Sequence, residues 1–397
     1  RQSTQLMVTA TVSMRGGWPL RAILLLCTGL LYAGWTAAQS LTPSWQVSLK
    51  GAFNQAPLVR DGLVFVVPEK GKLTALRLRD GAQVWQRKAS DVWDRGYSLH
   101  DGQLIVCLKD ASVAALDPVS GREIWRRHLG INCQRPAFDH QGLLLVSTTH
   151  VGPGLANKPL RGATLFALDL KTGKPRWRFV SDTFLLQTAA VDEGRVFVGG
   201  SYIDPNFEGE EGGAAYYHAL DLQSGKLLWQ VPSVDGLPKT LYAHKGLVAY
   251  IAYEDFVQVL DARDGRTVWR KDTENWLPAI VGLGNTLYLG AANTFVHAWD
   301  LSDGRVLWRY NMPGQAFEYL LVKPTIEGDT LYFMSQKGRV FALDRLQGLA
   351  RWSAETGLVS RIDPTFADGY VVIGDIDGKV TAFRLEPPKN ASLSPQG

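Results

Sequence analysis

The chain has 397 residues, 46% of them hydrophobic, which is enough for one large core or two ordinary domains. Its 40 glycines and 13 tryptophans, together with many short apolar runs, indicate an all-β protein with many tight turns. The net charge of +4 comes largely from three arginines in residues 1–38, and the remaining 39 basic and 38 acidic side chains argue against a nucleic-acid-binding protein.

Residues 1–38 predict an export signal preceded by a short extension. Met14 opens a basic stretch, and an apolar run follows over residues 22–34. Thr36 and Ala38 are the small residues that a cut after Ala38 requires. The apolar run is too short to span a bilayer comfortably, so we expect cleavage, with an uncleaved anchor as the alternative. Three leucines precede Cys27 where a lipoprotein has a small residue, which argues against lipidation.

One pattern recurs seven times along the rest of the chain. Its regular form is A-x-D-x-x-x-G-x-x-x-W, and a glycine lies four residues before the tryptophan in every copy. An aspartate lies four residues before that glycine in six copies, and Arg77 replaces it in the first. Fixed spacing in seven copies identifies a repeat protein. The copies end at Trp85, Trp125, Trp177, Trp229, Trp269, Trp308 and Trp352.

Each motif predicts the hairpin between the last two strands of a repeat. The aspartate can accept backbone N–H bonds from the turn, and the glycine supplies the positive φ that closes it. The following strand carries the tryptophan, which we expect to pack on a neighbouring repeat. Two further short β-rich runs precede each motif, such as those at 103–108 and 142–147. Four short strands in repeats of 39 to 52 residues indicate a propeller blade.

The two ends of the repeat region predict a closed ring. An eighth repeat begins at Arg361 but stops before its glycine and tryptophan. The segment around Trp45 lies alone before the first repeat and supplies the missing outer strand, which would hide exposed strand edges. We therefore predict that residues 39–386 form an eight-bladed β-propeller of four-stranded antiparallel blades. Residues 387–397 are expected to form a flexible tail.

These motifs resemble the quinoprotein-type, or PQQ-like, β-propeller repeat over about residues 42–386. In that family the motif alanine and tryptophan dock neighbouring blades, and the pairs Ala115–Trp125 and Ala167–Trp177 match them. In size, blade number and export the chain is similar to BamB-type outer-membrane protein assembly factors, which are non-catalytic scaffolds. The predicted blade-docking residues are Trp45, Trp85, Trp125, Trp177, Trp229, Trp269, Trp308 and Trp352.

Three segments are candidates for partner binding. Insertions at 150–162 and 201–215 lengthen the third and fourth blades between their second and third strands, and the second insertion is acidic. Adjacent long loops predict partner contacts, with tolerated surface decoration as an equal alternative. The stretch 358–365 is similar in character to partner-contacting loops of BamB-type proteins. The predicted partner-binding residues are Tyr202, Asp204, Phe207, Glu208, Leu358, Arg361 and Asp363.

Basic residues near the start of several first strands are expected at the mouth of the central channel. Converging cations would attract an anionic group or an acidic partner loop, and ordinary solvated rim charge is the alternative. The predicted rim residues are Arg95, Arg135, Lys239 and Lys323. Cys107 and Cys133 lie in adjoining repeats, and the sequence is compatible with either a disulfide or two buried thiols.

Together these features predict a monomeric, non-catalytic scaffold in the periplasm, associated at most indirectly with the outer membrane. Its expected partner is a subunit of the β-barrel assembly machinery, and no cofactor, metal or nucleic acid is expected. A PQQ-dependent or sugar-linked oxidoreductase is one alternative, but it calls for a divalent cation, a carboxylate base and usually an adjacent cysteine pair. The sequence has no such pair. A periplasmic sensor or adaptor propeller is another alternative.

Overall fold

A computed structural model describes the propeller and the N-terminal strands that precede it. The predicted export signal and C-terminal tail lie outside the described residues. The chain divides into two compact units, 1–37 and 38–397, and every described residue belongs to the second. The described residues are 39–69, 71–87, 92–133, 137–149, 163–183, 185–186, 189–201, 215–233, 240–251, 256–272, 279–290, 295–312, 323–360 and 362–385.

The described residues form 34 β-strands and no helix. The N-terminal strands are β1 (Gln39–Ser40) and β2 (Pro43–Ser48). Blade 1 comprises β3 (Leu58–Arg60), β4 (Leu63–Val66), β5 (Leu73–Arg77) and β6 (Gln83–Arg87). Blade 2 comprises β7 (Val92–His100), β8 (Gln103–Leu108), β9 (Ser112–Leu116) and β10 (Glu123–His128). Blade 3 comprises β11 (Phe138–His140), β12 (Leu143–Ser147), β13 (Thr164–Asp169) and β14 (Pro175–Val180).

The second half of the ring continues in the same order. Blade 4 comprises β15 (Leu185–Leu186), β16 (Ala190–Asp192), β17 (Arg195–Ser201), β18 (Ala215–Asp221) and β19 (Leu227–Ser233). Blade 5 comprises β20 (Thr240–His244), β21 (Leu247–Ile251), β22 (Phe256–Asp261) and β23 (Thr267–Asp272). Blade 6 comprises β24 (Ala279–Leu283), β25 (Thr286–Gly290), β26 (Phe295–Asp300) and β27 (Val306–Asn311). Blade 7 comprises β28 (Thr325–Glu327), β29 (Thr330–Met334), β30 (Arg339–Asp344) and β31 (Ala350–Glu355), and blade 8 comprises β32 (Thr365–Ala367), β33 (Tyr370–Gly374) and β34 (Lys379–Arg384).

The chain closes the ring with its own N-terminal segment. Strand β2 pairs antiparallel with β34, placing Trp45 opposite Ala382, and becomes the fourth strand of blade 8. The predicted eight-bladed, end-paired propeller is therefore confirmed. Strand β1 was not predicted, and it pairs in parallel with β31 of blade 7. Ten residues thus bridge two blades and cover strand edges on both.

The core lies between blades rather than within them. The middle strands are almost wholly buried, as in β8 and β9, whereas the outer strand β10 alternates exposed and buried positions. One core cluster combines Phe65 and Leu73 of blade 1 with Leu104 and Val106 of blade 2. A blade buries apolar side chains against its neighbours, so it does not complete a core alone.

The motif tryptophan and glycine belong to one interblade contact. Trp125 Nε1 donates to the carbonyl of Leu170 in the next blade at 3.0 Å. A Cβ on Gly173 of that blade would lie 2.3 Å from the Trp125 ring, and φ at Gly173 is +65°. Glycine is therefore required both by the turn and by the approaching indole. The carbonyls that accept from successive motif indoles are those of Leu78, Pro118, Leu170, Leu222, Ala262, Leu301 and Arg345.

The motif aspartates cap the turns that follow them. Asp117 Oδ1 accepts from Ser120 N at 2.7 Å and from the Ser120 hydroxyl at 2.6 Å. The pKa of Asp169 is lowered to about 2, first by the hydrogen bond from Arg176 and then by that from the Thr172 side chain. These carboxylates are ionised turn caps, which is a structural role.

Candidate partner-binding face

The antiparallel order of the strands gives the propeller two unlike faces. The turns between first and second strands and the motif turns lie on one face, here called the turn face. The links between second and third strands and the connections to the next blade lie on the other, here called the loop face. The strand ends that flank the second insertion, Ser201 and Ala215, pair with each other and open on the loop face. Residues Tyr202, Asp204, Phe207, Glu208, Arg361, Arg135 and Lys239 lie outside the described residues.

The connection from blade 7 to blade 8 is fixed at its beginning to blade 7. The amide and the hydroxyl of Thr356 both donate to the carbonyl of Gly338, at 2.9 and 2.7 Å. A Cβ on Gly338 would lie 1.9 Å from the Leu358 carbonyl oxygen, so the approach requires glycine. Leu358 itself is half-buried and packs on the cluster that contains Val340 and Phe366. It anchors the connection to the core.

The same connection is fixed at its other end to blade 8. The buried Ser360 hydroxyl lies 2.9 and 3.2 Å from the carbonyl oxygens of Ile362 and Gly374, which share its single O–H donor. Between the two anchors, Val359 is 66% exposed. Ile376, in the neighbouring turn of blade 8, is 51% exposed. Two exposed aliphatic side chains therefore stand on rigidly held segments of the loop face.

Sequence reasoning selected Leu358 in this connection and missed both exposed residues. An apolar residue inside the polar turn Asp375–Gly378 was the available signal for Ile376. No comparable signal existed for Val359, because alternation in a connection without regular structure does not show which side chain is buried.

The predicted residues Asp363 and Lys323 come together on this face. The Lys323 amide donates to Asp363 Oδ1 at 3.0 Å, which links the connections entering blades 7 and 8. Burial raises the pKa of Asp363, while the Lys323 amide and the Lys323 charge oppose that shift. The Lys323 side chain is exposed, and Arg95 is exposed in the first strand of blade 2.

A disulfide resolves the alternative that the sequence left open. Cys107, in the second strand of blade 2, is bonded to Cys133 in the connection to blade 3, and both are buried. Gly96 packs directly against this bond, since a Cβ there would lie 2.6 Å from the Cβ of Cys107. The disulfide therefore fixes the start of an interblade connection on the loop face.

Reduction of this disulfide is expected to lower the free energy of unfolding by about 3.5 kcal/mol, because it would no longer constrain the unfolded chain. The cysteines are 26 residues apart. Urea unfolding with and without a reducing agent measures the effect. The double variant C107A/C133A should unfold at the same urea concentration in both conditions. If the urea midpoint of the wild-type protein is the same with and without the reducing agent, this expectation is wrong.

The described residues lack two other kinds of feature. No group of three or more histidine, cysteine or acidic side chains within them is placed to hold a metal ion. No helix in this part of the chain is long and apolar enough to cross a membrane.

Comparison with known proteins gives the family. A profile described as outer membrane protein assembly factor BamB matches residues 36–106, 109–241, 207–276 and 253–387. The chain belongs to the BamB family. The BamB of Burkholderia pseudomallei is 24% identical over 308 residues, which are 75% of this chain and 65% of that protein. The chain matches less than two thirds of the length of each curated relative.

Solved structures agree with the fold. BamB from Moraxella catarrhalis superposes with a TM-score of 0.59 at 18% identity, covering 87% of this chain and 97% of that one. The quinohemoprotein alcohol dehydrogenase of Comamonas testosteroni gives a TM-score of 0.60 at 15% identity, covering 87% and 77%. At such identities the likeness establishes the propeller alone, and this BamB-family chain must be assigned a function from its surface.

Proposed function

We propose that this BamB-family propeller is a non-catalytic periplasmic scaffold that assists the assembly of outer-membrane β-barrel proteins. It binds a subunit of the β-barrel assembly machinery through its loop face at blades 7 and 8. The observation that carries the proposal is the exposed pair Val359 and Ile376 on anchored segments. The proposal takes these two side chains as the apolar centre of a protein-binding surface, where a few residues carry most of the binding energy.

The surroundings of this pair favour a protein partner. The exposed side chain of Lys323 lies on the adjoining connection, whose backbone is held by Asp363, and supplies a charged group to the edge of this surface. An apolar centre with a polar rim is the usual anatomy of a protein interface. Because Thr356 and Ser360 fix the connection beforehand, little conformational entropy is lost on binding.

Affinity capture with the variant V359D/I376D tests the proposal. The tagged full chain is applied to solubilised cell envelopes, and a captured β-barrel assembly subunit is quantified by mass spectrometry. We expect wild-type protein to recover the subunit and V359D/I376D to recover at least about tenfold less, because buried charge in an interface centre is costly. The matched control is V119D, which changes a 68% exposed valine on the turn face. Equal recovery with V359D/I376D, or an equal loss with V119D, would contradict this assignment of the face.

A second pair of variants tests the insertions. One variant shortens 150–162 and the other shortens 202–214, each to the length of an ordinary link between the second and third strands of a blade. The second variant removes the predicted contact residues Tyr202 and Glu208. Reduced capture of the same subunit would add these segments to the interface. Purified protein that captures no subunit but takes up a quinone with Ca²⁺ would instead support the oxidoreductase alternative.

A further inference from the structure

The contact between blades 5 and 6 on the side of β26 that carries His297 and Trp299, here called the groove, contains buried polar atoms without a hydrogen-bond partner. Trp299 is only 4% exposed, and its Nε1 has no hydrogen-bond partner. Nδ1 of His297 is also buried without a partner. Both residues belong to β26 and, being two positions apart, face the same side, with ring centroids 6.1 Å apart. A buried indole N–H normally finds an acceptor, so its absence requires an explanation.

Two cations converge on the same groove. Lys271 Nζ, from blade 5, lies 4.4 Å from the centroid of the Trp299 ring and donates to the Gly304 carbonyl at 3.0 Å. The Arg309 guanidinium lies 3.3 Å from the centroid of Phe295. Neither cation forms an ion pair with a carboxylate in the part of the chain that the structure describes. The groove therefore carries positive charge and surplus donors.

The electrostatics of His297 support this description. Its pKa is lowered to about 4, first by burial and then by the charges of Arg309 and Lys271. Among the described residues, no carboxylate contributes to that shift. The imidazole is neutral at neutral pH, and a neutral imidazole can present a single N–H from Nδ1.

The equivalent groove between blades 3 and 4 lacks these features. His218 holds the same motif position as His297, immediately before the alanine, but its Nδ1 is hydrogen-bonded to the Val198 carbonyl at 3.3 Å. The ring of Phe179 packs edge-on against His218 at 5.3 Å. In blade 4 the histidine at this position therefore has a hydrogen-bond partner within the protein. In the groove between blades 3 and 4, the counterparts of Lys271, Trp299 and Arg309 are Phe179, Leu220 and Gln230.

We propose that the groove between blades 5 and 6 is a binding site for a small oxyanion of the phosphate or carboxylate type. The oxyanion accepts from the Trp299 indole and from Lys271 and Arg309, which offset its charge. His297 can donate a further hydrogen bond from Nδ1–H while it remains neutral. None of the three counterparts in the groove between blades 3 and 4 is charged, whereas two of the three groups here are cations and the third is an unpartnered indole N–H.

Nuclear magnetic resonance of the indole N–H groups tests the proposal on the full chain. Inorganic phosphate is titrated into ¹⁵N-labelled protein, with sodium chloride at matched ionic strength as the reference. We expect a saturable shift of one indole resonance, identified as Trp299 by its loss in W299F. R309Q, which introduces the blade 4 residue, should weaken the apparent affinity at least about tenfold, equivalent to about 1.4 kcal/mol. K271M should weaken the apparent affinity for phosphate to a similar extent. It replaces R309Q as the test variant if R309Q does not fold.

The control R270Q removes the cation at the equivalent strand position one blade earlier, which forms an ion pair with Asp272 at 3.6 Å. The Arg270 guanidinium lies 3.7 Å from the centroid of Phe256, in the position that Arg309 holds one blade later, but beside Gln258. R270Q should bind phosphate like the wild type.

A titration with acetate that is equally sensitive to R309Q would show that carboxylates are accepted as well as phosphate. No saturable shift, an equal response to chloride, or equal weakening by R270Q would overturn the site. The measurement involves no partner protein, so its failure is distinct from failure of the scaffold proposal.

Discussion

Replacing Trp125 by alanine is expected to lower the free energy of unfolding by about 3–5 kcal/mol. The indole is buried between blades 2 and 3, in the cluster that contains Phe166 and Leu168. Its loss would open a cavity and leave the Leu170 carbonyl without the hydrogen bond it now receives. Gly173 cannot close that cavity, because its backbone is fixed by the motif turn.

Urea unfolding measures the effect, and the adjacent residue provides the control. Ile124 precedes Trp125 on the same strand but is 48% exposed, so I124A should change the free energy of unfolding by less than about 0.5 kcal/mol. Similar effects for W125A and I124A would show that the motif tryptophan does not hold the blades together.

Acidification from pH 7 to pH 4 is expected to destabilise the propeller by about 3 kcal/mol through His218. Burial is the main reason that the pKa of His218 falls from 6.5 to about 4 in the folded protein. Between these values the unfolded chain binds a proton that the folded chain excludes. Stability is therefore complete above pH 6.5 and is lost as the pH falls towards 4. Burial lowers the pKa of the more exposed His297 in the same direction.

Unfolding free energies measured from pH 7 to pH 4 check this expectation. H218Q should flatten the dependence, since glutamine can donate to the Val198 carbonyl without titrating. H128Q, which changes an exposed histidine, is the control substitution. If H218Q and wild-type protein lose stability in parallel as the pH falls, His218 is not the group responsible.

The sequence alone determined the fold because each blade repeats one local solution. The spacing of aspartate, glycine and tryptophan defines a hairpin within about ten residues, and such turn chemistry is readable from neighbours in the chain. The lone strand around Trp45 and the incomplete eighth repeat determined the closure, and the pairing of that strand with the last blade was predicted. Family membership followed from the same residues.

Other features depend on contacts with a neighbouring blade, and the sequence of the motif does not show them. Gly173 was assigned to its turn, but the approach of Trp125 also requires it. Strand β1 was not predicted, because two residues carry no periodicity and their partner β31 is distant in the chain. Contacts of this kind join residues far apart in sequence, and local pattern carries no information about them.

The candidate sites depended on tertiary structure for the same reason. Packing decided that Leu358 is an anchor while Val359 and Ile376 are exposed, and three-dimensional proximity decided that Cys107 and Cys133 pair. The groove between blades 5 and 6 draws Lys271 from one repeat and Trp299 from the next. Local pattern determined each blade, whereas burial and charge between blades, which depend on how different repeats face each other, were decided only by the closed ring.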